Sequence, residues 1–233
     1  MSQVTNPILQ QYVVLTEFLG RALGPSYEVA LHDLTDKNRS IIAIANGHIS
    51  GRAVGAPLTN MALSILKDRS YETSNYRVND YGLSINGKEL RSNTMFIKQN
   101  GRLIGMLCIN FDDSQYQALA RALMDLVHPG TFLAELQERQ ESPLPAAAFA
   151  GQTEKFSHST QGVAADAVAR ELERRGLTAD KLTAADRLAI IAALDEEGIF
   201  LLKGVIRDVA PALGCSQASV YRYLAQLKND DEA

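Results

Sequence analysis

The chain has 233 residues and a formal charge of −4, with 46% hydrophobic and 21% charged residues. At roughly 150 residues per domain this is one full core plus a smaller module, and the composition excludes wholesale disorder. The acidic balance excludes a histone-like nucleic-acid binder but leaves room for a local basic face.

The first predicted element is a helix, with Ile8, Leu9, Tyr12, Val13, Leu15, Leu19 and Leu23 on one face and Gly24-Pro25 as its stop. Two β-like runs over 27–34 and 40–45 flank a polar turn, and Asn46-Gly47 closes the second. Pro57 opens a short helix carrying Met61, Leu63, Ile65 and Leu66; residues 67–79 are polar, and Asn86-Gly87 marks another turn. Asn100-Gly101 joins runs over 90–99 and 102–111, a hairpin signal because both central residues of a type I′ turn need φ > 0. A helix over 114–127 carries Leu119, Leu123, Leu126 and Val127. The expected fold class is α+β with an antiparallel sheet, in the element order of a PAS-like or GAF-like sensor domain.

Residues 137–162 are rich in Gln, Ser, Pro, Ala and Gly, and such a segment buries little surface to offset its ordering entropy. The expectation is therefore a sensor domain over 1–136, a flexible linker over 137–162 and an all-α domain over 163–233. In that last domain a helix over 164–175 ends at Gly176, and Thr183 with Asp186 opens the next as a capping box. The stretch 206–227 then fits a helix-turn-helix. Gly214 is the turn glycine, Ala210 the small residue four earlier, and Val209, Leu213, Cys215, Val220 and Tyr223 hold core positions. Pro211 shortens or kinks its first helix. A plain helical hairpin would share this pattern. However, Lys203, Arg207, Arg222 and Lys228 face only Asp208 over 200–228, a positive island in an acidic module. The expected DNA-binding residues are Ser216, Gln217, Ser219, Tyr221, Arg222, Lys203 and Lys228.

Leu31–Leu34, Ile44–Arg52, Asn93–Ile97 and Gly105–Asp112 resemble the YheO-like PAS domain, and Gly198–Leu224 resembles the helix-turn-helix that accompanies it in DauR-like bacterial transcriptional regulators. The resemblance implies a transcriptional regulator, a repressor, whose relatives include a regulator of arginine utilisation. It covers both ends of the chain in order and fixes no effector. Residues 78–85 do not align with the pattern.

Several residues are candidates for binding a small polar effector, an amino acid such as arginine by relatedness. Strand alternation separates His32 from Asp33, which argues against a catalytic dyad. Asn46, His48, Ser50 and Arg52 lie on a glycine-bracketed loop, where Arg52 either forks onto a ligand carboxylate or pairs with a structural acid. Ser92 and Thr94 share a strand face, as do Cys108 and Asn110. They line a pocket or satisfy local backbone.

Cys108 and Cys215 make neither a disulfide framework nor a four-cysteine zinc site, and His32, His48, His128 and His158 show no ligand spacing. No nucleotide-binding or hydrolase motif occurs. The reading is therefore no enzyme, no cofactor and no metal. The expected partners are a double-stranded DNA operator, a small-molecule effector and a second copy of the chain, as a homodimer or dimer of dimers. Residues 1–7 lack an apolar signal core and no run spans a bilayer, so a cytoplasmic protein without membrane contact is expected. The alternative is a metabolite-binding enzyme or signalling adaptor whose helical tail binds protein.

Overall fold

A computed structural model describes residues 6–127 and 153–231, without the side chains of residues 125 and 228–231. Helix α1 (Pro7–Leu23) starts with Pro at its first position, and the Asn6 side chain accepts from the Ile8 N–H at 2.9 Å. Strands β1 (Tyr27–Asp33) and β2 (Ile41–Ala45) follow, then helix α2 (Asn60–Asp68). That helix begins three residues after Pro57, because Thr59 is the residue whose hydroxyl accepts from the Ala62 N–H at 3.2 Å.

Next come β3 (Tyr76–Leu83), β4 (Glu89–Gln99), β5 (Arg102–Phe111) and helix α3 (Ser114–Val127). The β4–β5 turn has φ of 51° at Asn100 and 78° at Gly101, both positive as a type I′ turn requires. Strand β3 lies where the sequence predicts a polar stretch and an unaligned segment. Its register shifts between Arg77 and Asp80, and Asn79 sits at φ 61°. This bulge breaks the period-two pattern by which a strand is read.

Strand β6 (Glu154–Lys155) completes a sheet of order β2-β1-β5-β4-β3-β6. Its pairing with β3 is parallel, whereas the other four pairs are antiparallel, so the expected antiparallel sheet carries one short parallel strand at its edge. Of the segment 137–162 predicted as a linker, 137–152 lies outside the described residues. The remainder carries β6 and the start of the next helix.

The C-terminal region consists of α4 (Thr160–Arg175), α5 (Ala184–Glu196), α6 (Ile206–Ala212) and α7 (Gln217–Asp231). Both hydrogen bonds of the Thr183–Asp186 capping box form at the start of α5. The sheet has two different faces. Val29, Leu31, Ile97 and Leu107 pack with Leu9 of α1 on one. On the other, Phe96, Met106 and Cys108 join a core that runs through α2 into α4–α7, including Ile190, Val209 and Val220. The sheet domain and the helical region therefore share one buried apolar cluster.

Candidate effector site and nucleic-acid interface

Registry across β1, β5 and β4 assembles the polar part of the inner face. Glu28 lies opposite Asn110, and Asn110 opposite Ser92; in the adjoining row Ala30 lies opposite Cys108, and Cys108 opposite Thr94. Four donors converge on the fully buried Glu28 carboxylate: Arg52 Nη2 at 3.0 Å, Asn110 Nδ2 at 2.9 Å, Ser50 Oγ at 2.5 Å and Ser50 N at 3.2 Å. The Ser92 hydroxyl donates to Asn110 Oδ1 at 2.8 Å, and Arg52 Nε donates to Ser50 Oγ at 3.2 Å. Both oxygens of this buried carboxylate are therefore satisfied by donors.

Among the described residues, two buried polar atoms beside this network have no hydrogen-bond partner: Arg52 Nη1 and Glu154 Oε2. The Arg52 guanidinium lies over the Phe156 ring, 4.5 Å from its centroid, and Glu154 Oε1 accepts from Thr59 Oγ1 at 2.7 Å. Buried polar groups are normally paired, so these two atoms stand apart from the rest of the face.

His32 and Cys108 belong to the same face and are chemically quiet. Ser40 directs its one proton to the Ala56 carbonyl at 3.3 Å, so His32 Nδ1 is the donor in its 2.9 Å contact with Ser40 Oγ. Burial, helped by the nearby Arg52 charge, lowers the His32 pKa to about 3, so the ring is neutral. Burial, aided by Glu154, pushes the Cys108 thiol up to about 12; its sulfur lies 3.5 Å from Thr94 Oγ1.

Three expected effector ligands lie elsewhere. Asp33 is on the other side of the β1 alternation, where it accepts from Thr35 N at 2.9 Å and Thr35 Oγ1 at 2.5 Å to close a turn. Asn46 sits at φ 56° and donates to the carbonyls of Gly20, Gly24 and Tyr27 at 3.1, 3.1 and 2.8 Å, tying the end of β2 to the end of α1. Its amide nitrogen is fully occupied. His48 is exposed and lines a separate shallow cleft with Ser26, Lys88 and Asp112. Sequence reasoning missed Glu28, Thr59 and Glu154. Glu28 had a signal, because it shares the β1 alternation of Ala30 and His32; Glu154 lies in a segment with no period at all.

At the other end of the molecule α6 and α7 form the helix-turn-helix. The Cys215 N–H donates to the Ala210 carbonyl and the Gly214 N–H to the Pro211 carbonyl, both at 3.0 Å, with Gly214 at φ 60°. These bonds make a Schellman turn, which needs a left-handed residue at this position. Pro211 lies inside α6, a helix of only 7 residues. Arg187 Nε of α5 donates to the Leu213 carbonyl at 2.9 Å and fixes the turn from outside.

Ser216 caps α7, its hydroxyl accepting from Ser219 N at 3.1 Å. Gln217, Tyr221 and Arg222 are exposed, and Ser219 is half-buried. Lys203, Arg207, Gln217 and Tyr221 line one open groove. Arg207 joins the face as a residue beyond those expected, and among the described residues its only charge contact is Asp208 at 3.9 Å. The Lys228 side chain lies outside the described residues, as does His128. Among the described residues no group of His, Cys, Asp and Glu has a metal-binding arrangement, and no helix is long and apolar enough to cross a membrane.

Comparison with known proteins agrees with both halves. Residues 3–128 match the model of the YheO-like PAS domain, and residues 163–225 match that of an HTH domain. The protein YheO of Escherichia coli (strain K12) is 29% identical over 225 residues, covering 96% of this chain and 86% of its own. The transcriptional regulator DauR of Pseudomonas aeruginosa is 28% identical over 232 residues and 98% of each chain. Among solved structures, the phage VqmA–DPO complex aligns over 93% of this chain and 89% of that one, at 16% identity and a TM-score of 0.35. With residues 3–128 matched and the two helices of its helix-turn-helix in place, the chain belongs to the YheO-like PAS family, and it joins that PAS domain to a helix-turn-helix domain in the organisation of a transcriptional regulator.

Proposed function

We propose that the protein is a DNA-binding repressor whose PAS domain senses a small polar metabolite, an amino acid such as arginine. The observation that carries the sensing half is the unpartnered Nη1 of Arg52, a donor whose fork matches a carboxylate. The neighbouring groups support binding over turnover: Cys108 is held as a thiol, His32 is neutral, and Glu28 is consumed by four donors.

On the DNA side, Gln217, Tyr221 and Arg222 are free to meet base edges and phosphates in a major groove, with Lys203 and Arg207 beside them as phosphate contacts and Lys228, later in the sequence, as a further one. One such helix reads about four or five base pairs, so the working unit is a homodimer on a two-fold operator with half-sites about 34 Å apart or a multiple of that. The exposed Leu119, Leu123, Leu126 and Val127 of α3, with Phe18 of α1, supply apolar surface for such pairing.

The decisive experiment is selection of binding sites from random DNA duplexes, followed by affinity measurements over a salt series. A two-fold consensus is expected, and Arg222→Ala or Arg207→Ala should each lower the slope of log K against log salt by about 1. Absence of any sequence preference in the selected pool would overturn the reading. Native mass spectrometry of the freshly purified protein adds the oligomeric state and any retained effector.

A further inference from the structure

We infer that Glu154, carried on the strand that leads into the helix-turn-helix domain, is the counter-charge of the effector site and receives a cationic group of the effector, so that filling the sensor and fixing the entry to the DNA-reading helices are one event. The inference rests on the effector reading above and adds to it a residue, a ligand charge and a route to the DNA.

Glu154 is 4% exposed and unlike the other carboxylate of the site. Glu28 is paired with Arg52, whereas no cation pairs with Glu154 among the described residues. The Arg52 charge also acts on Glu154, but its Nη2 is bound to Glu28 at 3.0 Å, and Arg77 forks onto Asp80 at 2.7 and 3.2 Å. Thr59 gives Glu154 one neutral hydrogen bond, and the hydroxyl of Ser92, which also lies beside it, donates to Asn110 instead. A buried carboxylate in this state carries a large desolvation cost, and burial correspondingly pushes the Glu154 pKa up. An ammonium or guanidinium group on Oε2 removes that cost. The same small molecule can place a carboxylate on Arg52 Nη1, the second orphan. The class that satisfies both is a small molecule bearing a carboxylate and a cation.

The strand is built to transmit the event. Asn60 clamps it from α2, donating from Nδ2 to the Thr153 carbonyl at 2.9 Å and accepting from Lys155 N at 2.8 Å. The ring of Phe156 packs on Arg52 at one end of the same tether. Only residues 157–159 separate Phe156 from α4, whose buried Val163 and Val168 share a core with Val209 and Val220 of the reading helices. A ligand that grips Glu154 therefore anchors the first turn of that core to the sensor.

The test uses the full-length protein, L-arginine as the cationic probe and N-acetyl-L-citrulline as a carboxylate probe without a cation. Calorimetry should show the wild type preferring L-arginine by about thirtyfold or more, and Glu154→Gln should bring the two probes within about threefold of each other. Hydrogen exchange on the wild type alone should slow over residues 153–168 with L-arginine and not with the neutral probe. Thr59→Val, which keeps the carboxylate, should retain the preference.

An unchanged preference in Glu154→Gln, or equal protection of 153–168 by both probes, overturns this inference and leaves the effector reading standing. Should the wild type bind neither probe, the effector reading falls and this inference falls with it. If Glu154→Gln does not fold, the exchange comparison on the wild type decides.

Discussion

Arg52 and Glu28 form an ion pair in which both side chains are almost fully buried, so truncating one partner leaves the other charge stranded. Arg52→Met should cost about 3–5 kcal/mol in urea unfolding, because the residual carboxylate loses its cation and stays in a dry site. Adding Glu28→Gln to that variant should recover a large part of the loss. Equal instability of single and double variants would show that packing of the arginine stem over Phe156 dominates instead.

His32 yields a pH prediction from the same face. Its pKa is near 3 when folded and about 6.5 when unfolded, so between these values the unfolded chain binds the extra proton. Stability from keeping the ring neutral is therefore full above pH 6.5 and falls as the pH drops towards 3, by about 1.4 kcal/mol per unit. The difference between wild type and His32→Asn, followed by urea midpoints over pH 4–8, should show that slope; a flat difference would contradict it.

The residues that define this site were only partly legible from sequence. Ser92, Thr94, Cys108 and Asn110 follow from strand alternation, and their juxtaposition follows from the hairpin at Asn100-Gly101 that sets their register. The pairing of Arg52 with Glu28 does not follow from any local pattern, since the two are 24 residues apart and meet only through the β2 loop. Asp33 at the end of a strand and Asn46 in a loop looked like ligands because polar residues at such places are ambiguous. What decides between ligand and turn is which carbonyls and N–H groups lie within 3 Å, and that is tertiary information.

Among the elements, those with a strong local cause were legible. The Thr183–Asp186 box, the glycine stops of α1 and α4 and the type I′ turn each act within a few residues, so sequence neighbours determine them. Strand β3 escaped because a bulge at Arg77–Asp80 breaks its alternation, and β6 escaped because two residues give no period and pair with a strand some 70 residues earlier. That last pairing makes a specific demand on β3. Gly82 lies opposite Glu154, and a Cβ there would meet the Phe156 ring at 2.8 Å. Gly82→Ala should displace Phe156 and cost about 1–3 kcal/mol in thermal or urea unfolding. Wild-type stability in that variant would mean that the ring moves aside freely and that β6 is only loosely held.

At the scale of the molecule, the sensor and the helix-turn-helix are in direct contact as well as in sequence. Asn38, in the turn between β1 and β2, donates to the Lys203 carbonyl and accepts from the Lys203 N–H, both at 2.9 Å. Lys67 of α2 reaches Asp195 of α5 at 2.6 Å, and the shared apolar cluster lies beneath. An exposed ion pair of this kind contributes little, so the apolar cluster and the Asn38 clamp carry the docking. A core that crosses the junction should unfold as one unit, and calorimetry of the full chain is expected to show a single transition. Two well-separated transitions would mean that the junction melts first and that the contacts are marginal. Lys203 also borders the groove beside α7, so the clamp sets the position of a proposed phosphate contact from the side of the PAS domain. Asn38→Ala should then loosen one side of the DNA face while leaving α6 and α7 folded. The expected signs are faster hydrogen exchange over 199–206, a stability loss of about 1–2 kcal/mol, and weaker DNA binding at low salt. If exchange at 199–206 and DNA affinity both stay at wild-type values, the clamp is only a packing detail, and communication between sensor and DNA must run through the α2–α5 contact and the α4 core instead.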